Sequence, residues 1–136
     1  MNERIVALDI GDVRIGVAVS DPLGISTNGI ETHLSQGAEA DASYFAEMAL
    51  SRGAGMILLG LPLNMDGTEG DRAEKVRAFG ALLQQKSGLP VKYEDERLTT
   101  VEAEEMLIEA GLSRQERKKV IDKVAAEIIL RSYLNK

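Results

Sequence analysis

Apolar residues follow two rhythms along this chain, and the change between them divides it into elements. "RIVALDI" at 4–10 is β-branched and apolar, "GDV" punctuates it, and "RIGVAVS" at 14–20 resumes with alternating character, which predicts a hairpin. A weaker third strand is expected over 24–33, where "GISTNGIETH" is only mildly hydrophobic. The period then lengthens: Tyr44, Phe45, Met48 and Ala49 recur at helical spacing within 41–52. "MILLGL" at 56–61 is a short unbroken apolar run, the pattern of a strand covered on both faces. A second helix is predicted from Asp71, with Asp71 and Glu74 at capping-box spacing and Gly88 closing it. Its buried side carries Ala73, Val76, Phe79 and Leu83. "VKYED" at 91–95 gives a fifth strand. Thr99 and Glu102 form a T-x-x-E box ahead of Ala103, Met106, Leu107 and Ala110, and Gly111 stands where a C′ glycine belongs. Ser113 and Glu116 mark one more helical start, and a last helix over 119–134 aligns Ile121, Val124, Ala125, Ile128 and Ser132. The order β-β-β-α-β-α-β-α predicts an α/β fold, a mixed five-stranded sheet with helices on its faces.

Composition narrows the class. The 136 residues show no internal repeat and no Pro/Ser-rich linker, so a single domain over 1–136 is expected. Without cysteine there is neither a disulfide framework nor a thiolate-ligated zinc site. The start "MNER" runs straight into an apolar strand, and no stretch approaches the ~20 apolar residues of a membrane span. A cytoplasmic protein with no membrane partner is therefore expected. A net charge of −6 argues against non-specific nucleic-acid binding, yet "RQERKK" at 114–119 with Lys123 is locally basic. The lone histidine, His33, lies in a polar stretch and reads as a surface residue.

Three carboxylates break the pattern. Asp9 sits among Ile5, Val6, Ala7, Leu8 and Ile10, where burying a charge costs several kcal/mol unless it is compensated. With a period of two it shares a face with Ile5 and Ala7. It is therefore hydrogen-bonded, paired with a cation, or bound to a metal. Glu96 follows the fifth strand in "YEDERLTT", and taken alone it reads as a surface pair with Arg97. Asp122 lies in "KKVIDKVAAEIIL", with Ala125 and Ala126 at i+3 and i+4 leaving room beside it; taken alone it is a solvated helix residue. Together, from strand one, the end of strand five and the last helix, the three can converge at one edge of the sheet. Oxygen-only ligands select hard cations, Mg²⁺ or Mn²⁺. Three carboxylates around two such ions are the arrangement of two-metal phosphodiester hydrolysis.

The blocks "ALDIGDVRIGVAVSD", "GLPLNMDGTEG", "DERLTTVEAEEML" and "IDKVAAEIILRSYL" resemble, in order and spacing, the YqgF/RuvX family, the Holliday junction resolvases or pre-16S ribosomal RNA nucleases of bacteria. The resemblance implies an RNase H-like fold, with Asp9, Glu96 and Asp122 as catalytic residues and metal ligands. It makes Arg14, Asn64, Arg97, Lys118 and Lys119 candidate substrate contacts. Arg14 reads as a bidentate phosphate holder, and the lysines otherwise as a solvated helix start. Gly60, Pro62 and Gly67 are expected to shape a loop at the mouth of the site beside Asn64. The chain departs from the family in one place: Asp12 and Val13 stand where a small residue and a lysine are common, adding a negative charge near the turn.

The implied function is a metal-dependent endonuclease acting on nucleic acid, with the 5′ end of pre-16S ribosomal RNA as substrate. The alternative is a Holliday junction resolvase cutting four-way DNA, which needs a symmetric homodimer with two sites, whereas RNA processing suits a monomer. A further alternative is a non-catalytic nucleic-acid-binding scaffold, which the acidic charge favours and the carboxylate set disfavours. "LDIG" followed by an arginine hairpin also resembles the phosphate-binding hairpin of the actin, Hsp70 and sugar-kinase superfamily. That fold needs a second hairpin, and this chain has only one.

Overall fold

In the computed structural model, which describes residues 4–136, the apolar run at the start of the chain becomes the middle of a sheet. β1 (Ile5–Ile10) pairs antiparallel with β2 (Arg14–Ser20), and β2 pairs antiparallel with β3 (Thr27–Leu34). On the other side of β1 lies β4 (Met56–Leu61) and beyond it β5 (Val91–Asp95), both parallel, so the order is β3-β2-β1-β4-β5. β1 thus has a strand on each edge and helices over each face, which is why nearly all of its residues are apolar.

Four helices complete the chain: α1 (Ala38–Ser51), α2 (Asp71–Ser87), α3 (Thr99–Glu109) and α4 (Arg114–Leu134). α1 and α2 cover one face, over a core that includes Val6, Leu8, Ile15, Val17, Phe45, Leu59 and Leu83. α4 covers the other face, packing Ala126, Ile129 and Leu130 on Ile5, Ala7, Ala18 and Leu58. α3 packs on α4 through Ala103, Ala125 and Ile128. Among the described residues no helix is long and apolar enough to cross a membrane.

The five strands fall where the hydrophobic pattern places them, with β3 displaced toward its C-terminal side. The Asp21 carboxylate accepts the Ile25 and Ser26 amides, at 2.7 and 3.3 Å, and holds that stretch as a turn. α1 opens earlier than expected, directly after Gly37 at φ 100. Two predicted capping boxes do not form. Gly70 is the N-cap of α2, so Asp71 lies inside the helix; Leu98, at φ 65, is the N-cap of α3, so Thr99 is helical and buried. The third box does form. Ser113 accepts the Glu116 amide at 3.2 Å while Glu116 accepts the Ser113 amide at 2.7 Å. That start belongs to α4 itself, which is one helix from Arg114 rather than a turn followed by a helix at 119.

His33 is not a surface residue. It is largely enclosed, stacked on Tyr44 at 4.4 Å and bonded through Nε2 to the buried Asp41 at 3.0 Å. Asp41 also accepts Ser35 Oγ and the Gln36 amide. Burial pushes the Asp41 carboxyl up, and these hydrogen bonds outweigh it and hold the group below its ordinary value. The network ties β3 to the first turn of α1, on the face of the sheet opposite Asp9.

Candidate active site

Asp9 points to the α4 side of the sheet, as its parity with Ile5 and Ala7 requires. Glu96 follows β5, two strands away, because β4 lies between β1 and β5. Side chains so far apart, about two strand spacings of 4.8 Å, meet only if the intervening strand carries nothing between them. Gly60 of β4 is that opening. A Cβ at Gly60 would come 2.6 Å from Glu96 Oε2 and 2.6 Å from Ile129 Cδ1. Glu96 therefore lies across β4 and hydrogen-bonds Asp9. Gly60 thus acts from within β4, not from the following loop as the sequence suggests.

The third carboxylate arrives by a second close approach. A side chain at Gly16 of β2 would collide with the backbone carbonyl of Asp122, so the bare strand lets α4 settle against the sheet at that point. Asp122 then lines the same cleft as Asp9 and Glu96, a recess of about 450 Å³. Among the described residues no three Asp, Glu, His or Cys side chains already enclose one point. Asp9 and Glu96 are in contact, and Asp122 stands back from them.

Burial, chiefly, pushes the Glu96 carboxyl up to about 9, and the neighbouring Asp9 charge and their hydrogen bond add to it. Asp9 is also raised, again mainly by burial; the hydrogen bond from Glu96 offsets part of this, and the Asp122 charge adds to it. Both carboxyls are thus held above their ordinary values, and a proton shared between them relieves their repulsion. Asp122 is raised by burial and eased by the charge of Arg14. Two facing oxygen donors whose repulsion is relieved by a single proton fit a hard divalent cation, which relieves it more fully.

The expected substrate contacts divide. Asn64 and Arg97 line the cleft, but both are engaged within the protein. Asn64 Nδ2 donates to Thr68 Oγ1 at 3.0 Å. Arg97 donates to Asp95 Oδ2 at 2.9 Å and to the Met65 carbonyl at 3.1 Å, fastening the 62–70 loop to the end of β5. Arg14 acts on Asp122 electrostatically from the start of β2 without lining the cleft. Lys118 and Lys119 are exposed on α4 and lie outside the cleft lining. One lining residue the sequence reading missed is Arg72, whose charge acts on both Asp9 and Glu96. The signal was available: an arginine in the first turn of a helix opposes the macrodipole and calls for an anion nearby.

Comparison with known proteins agrees with this geometry. The chain is 52% identical over 132 residues to a protein of Halothermothrix orenii named "Putative pre-16S rRNA nuclease", covering 97% of this chain and 94% of that one. A protein of the same name from Pelotomaculum thermopropionicum is 49% identical over 133 residues, covering 97% and 86%. Among solved structures, the Fowlpox virus resolvase in complex with Holliday junction DNA superposes with a TM-score of 0.61 at 13% identity, covering 97% of each chain. Thermus thermophilus RuvC with a Holliday junction substrate gives 0.57 at 13% identity, covering 98% of this chain and 94% of that one. At such identities the likeness shows the fold alone, the RNase H-like one. The profile of RuvX, described as Holliday junction resolvase, matches residues 3–136, and the chain belongs to that family of nucleases.

Proposed function

We propose that this protein is a metal-dependent endonuclease in which Asp9, Glu96 and Asp122 hold Mg²⁺ or Mn²⁺, and that its substrate is the 5′ end of pre-16S ribosomal RNA. The observation that carries the reading is the Asp9–Glu96 contact across Gly60, inside a cleft that Asp122 also lines. The names of the relatives over almost the whole chain favour the RNA substrate. The description of the family favours four-way DNA as the second reading.

Each residue has a part in hydrolysis. Asp9, fixed in the central strand, is the most rigid anchor for a cation. Glu96, beside Asp9, would be the second ligand, and holding a cation would require its carboxyl to be deprotonated. Asp122, set back on α4 and lining the same cleft, would supply the third carboxylate. Bound there, the cation supplies Lewis-acid polarisation of the phosphate and lowers the pKa of water. Water attacks phosphorus, the bond to the 3′ oxygen breaks, and the products carry a 5′-phosphate and a 3′-hydroxyl. No histidine lines the cleft among the described residues, and the scheme needs none.

The test is cleavage of a labelled pre-16S 5′ end and a four-way DNA junction with Mg²⁺ or Mn²⁺. Asp9→Asn and Asp122→Asn run beside the parent, with folding checked by circular dichroism. Metal-dependent cleavage lost in both folded variants supports the nuclease, and the preferred substrate separates RNA from DNA. A folded, metal-loaded parent that cuts neither overturns the reading in favour of a binding scaffold.

A further inference from the structure

Among the cations expected to meet substrate, none that lines the acidic cleft is free to do so, since Arg97 is spent on Asp95 and the Met65 carbonyl. Arg72 is different. It lines the cleft from the first turn of α2, is exposed, and among the described residues has no hydrogen bond or ion pair of its own.

Two further hollows adjoin the cleft beyond Arg72. A small recess beside the cleft is lined by Gly11, Asp12, Arg72, Lys75 and Val76. A wider groove of about 560 Å³ follows, reaching from Lys75 to Gly37 and Ala38 at the start of α1. Ile10 and Gly11 border all three hollows, which therefore adjoin one another. Arg72 and Lys75 are three residues apart on one helix face, about 5–6 Å between Cβ atoms, and they stand along this path in sequence. Lys75 is only loosely held: its Nζ lies 3.5 Å from Asp12 Oδ1, and both side chains are 75% exposed. Such a pair is worth little and yields readily to a phosphate.

We propose that Arg72 and Lys75 form a phosphate track leading one backbone strand of nucleic acid out of the acidic cleft across α2, with Asp12 competing for Lys75. The inference rests on the nuclease reading and deepens it by naming where the strand runs. It also gives a part to Asp12, whose negative charge faces Lys75. Asp12 tempers the second cation of the track.

The test is binding of a fluorescein-labelled single-stranded RNA, followed by anisotropy over a range of salt, in an Asp9→Asn background that does not cut the strand. Each released contact makes the dependence of log Kd on log salt shallower by about 0.7. Arg72→Ala and Lys75→Ala are each expected to show that change, and the double variant about 1.4. Asp12→Asn is expected to tighten binding, and Lys92→Ala, on an exposed residue at the opposite end of the sheet, to leave it unchanged. An Arg72→Ala protein that binds with the parent slope overturns the track, even if its stability changes, because a residue that only offsets the acids has no such slope. An RNA that the parent does not bind overturns the track and the RNA substrate with it, and the cleavage assay above shows separately whether the nuclease reading fails.

Discussion

Strand positions facing α1 and α2 carry Val6, Leu8, Ile15, Val17, Ile57 and Leu59, whereas those facing α4 carry Ile5, Ala7, Asp9, Gly16, Ala18, Met56, Leu58 and Gly60. The first face is filled with large side chains, several wholly buried, and supplies most of the apolar burial that stabilises the fold. The second keeps Ile5, Met56 and Leu58 at one end but is bare at Gly16 and Gly60, where α4 and Glu96 come close to the sheet. One sheet thereby separates two tasks: bulk on one side holds the chain folded, and missing side chains on the other bring the acids together.

Breaking each face should give opposite phenotypes. On the α4 side, Asp9→Asn is expected to reduce cleavage at saturating Mg²⁺ by at least on the order of 10³-fold, about 4 kcal/mol of barrier, with the fold retained. Gly60→Ala should lower the rate on the order of 10²-fold, because the added methyl displaces Glu96 and errors of about 1 Å in a catalytic group cost that much. Leu59→Ala, one residue earlier and on the opposite face, should instead lose about 2–5 kcal/mol of stability in urea melts while activity per folded molecule is kept. A Gly60→Ala protein as active as the parent would remove the glycine opening from the account.

The pH response sharpens the contrast further. Because the Glu96 carboxyl is raised to about 9 from an ordinary 4.5, the folded protein keeps a proton that the unfolded chain releases. That stabilisation is complete below about pH 4.5 and is lost as pH climbs toward 9; Asp9, also raised, adds in the same direction. Without divalent metal, the Tm should therefore fall between pH 5 and 9, and Glu96→Gln should flatten the fall. If the carboxylates hold a divalent cation as proposed, its affinity should move the other way and rise with pH, because they must be deprotonated to bind it. The smallest effect expected is from Ser113→Ala, about 1 kcal/mol from loss of the α4 cap, read as a shift in Tm with no change in kcat.

Much of this was legible in the sequence because it is local. Alternation assigned Asp9 to the Ile5–Ala7 face, the small residues at 125 and 126 placed Asp122 against something close, and the Ser113–Glu116 box forms as spaced. The two failed boxes show the limit. Gly70 and Leu98 take the cap positions because the backbone enters α2 and α3 from loops fastened elsewhere, by Arg97 to Met65 among others. Tertiary ties of that kind have no spacing signature. His33 was misread for the same reason, since its partner Asp41 lies on another element. Gly60 has meaning only once β4 is known to lie between β1 and β5.

One more property follows from where Glu96 hangs. β5 is an edge strand of five residues with a single neighbour, whereas the strand bearing Asp9 is flanked on both sides. Beyond its ladder to β4, β5 is moored by the buried Glu94, which accepts Ser132 Oγ at 2.8 Å and pairs with Lys136 Nζ at 2.7 Å. An edge of this kind opens locally well below the temperature that melts the whole sheet. On warming, hydrogen exchange should reach β5 before β1, and cleavage should fade while circular dichroism still reports a native protein. The working temperature of the enzyme is then set by its last strand, not by its core.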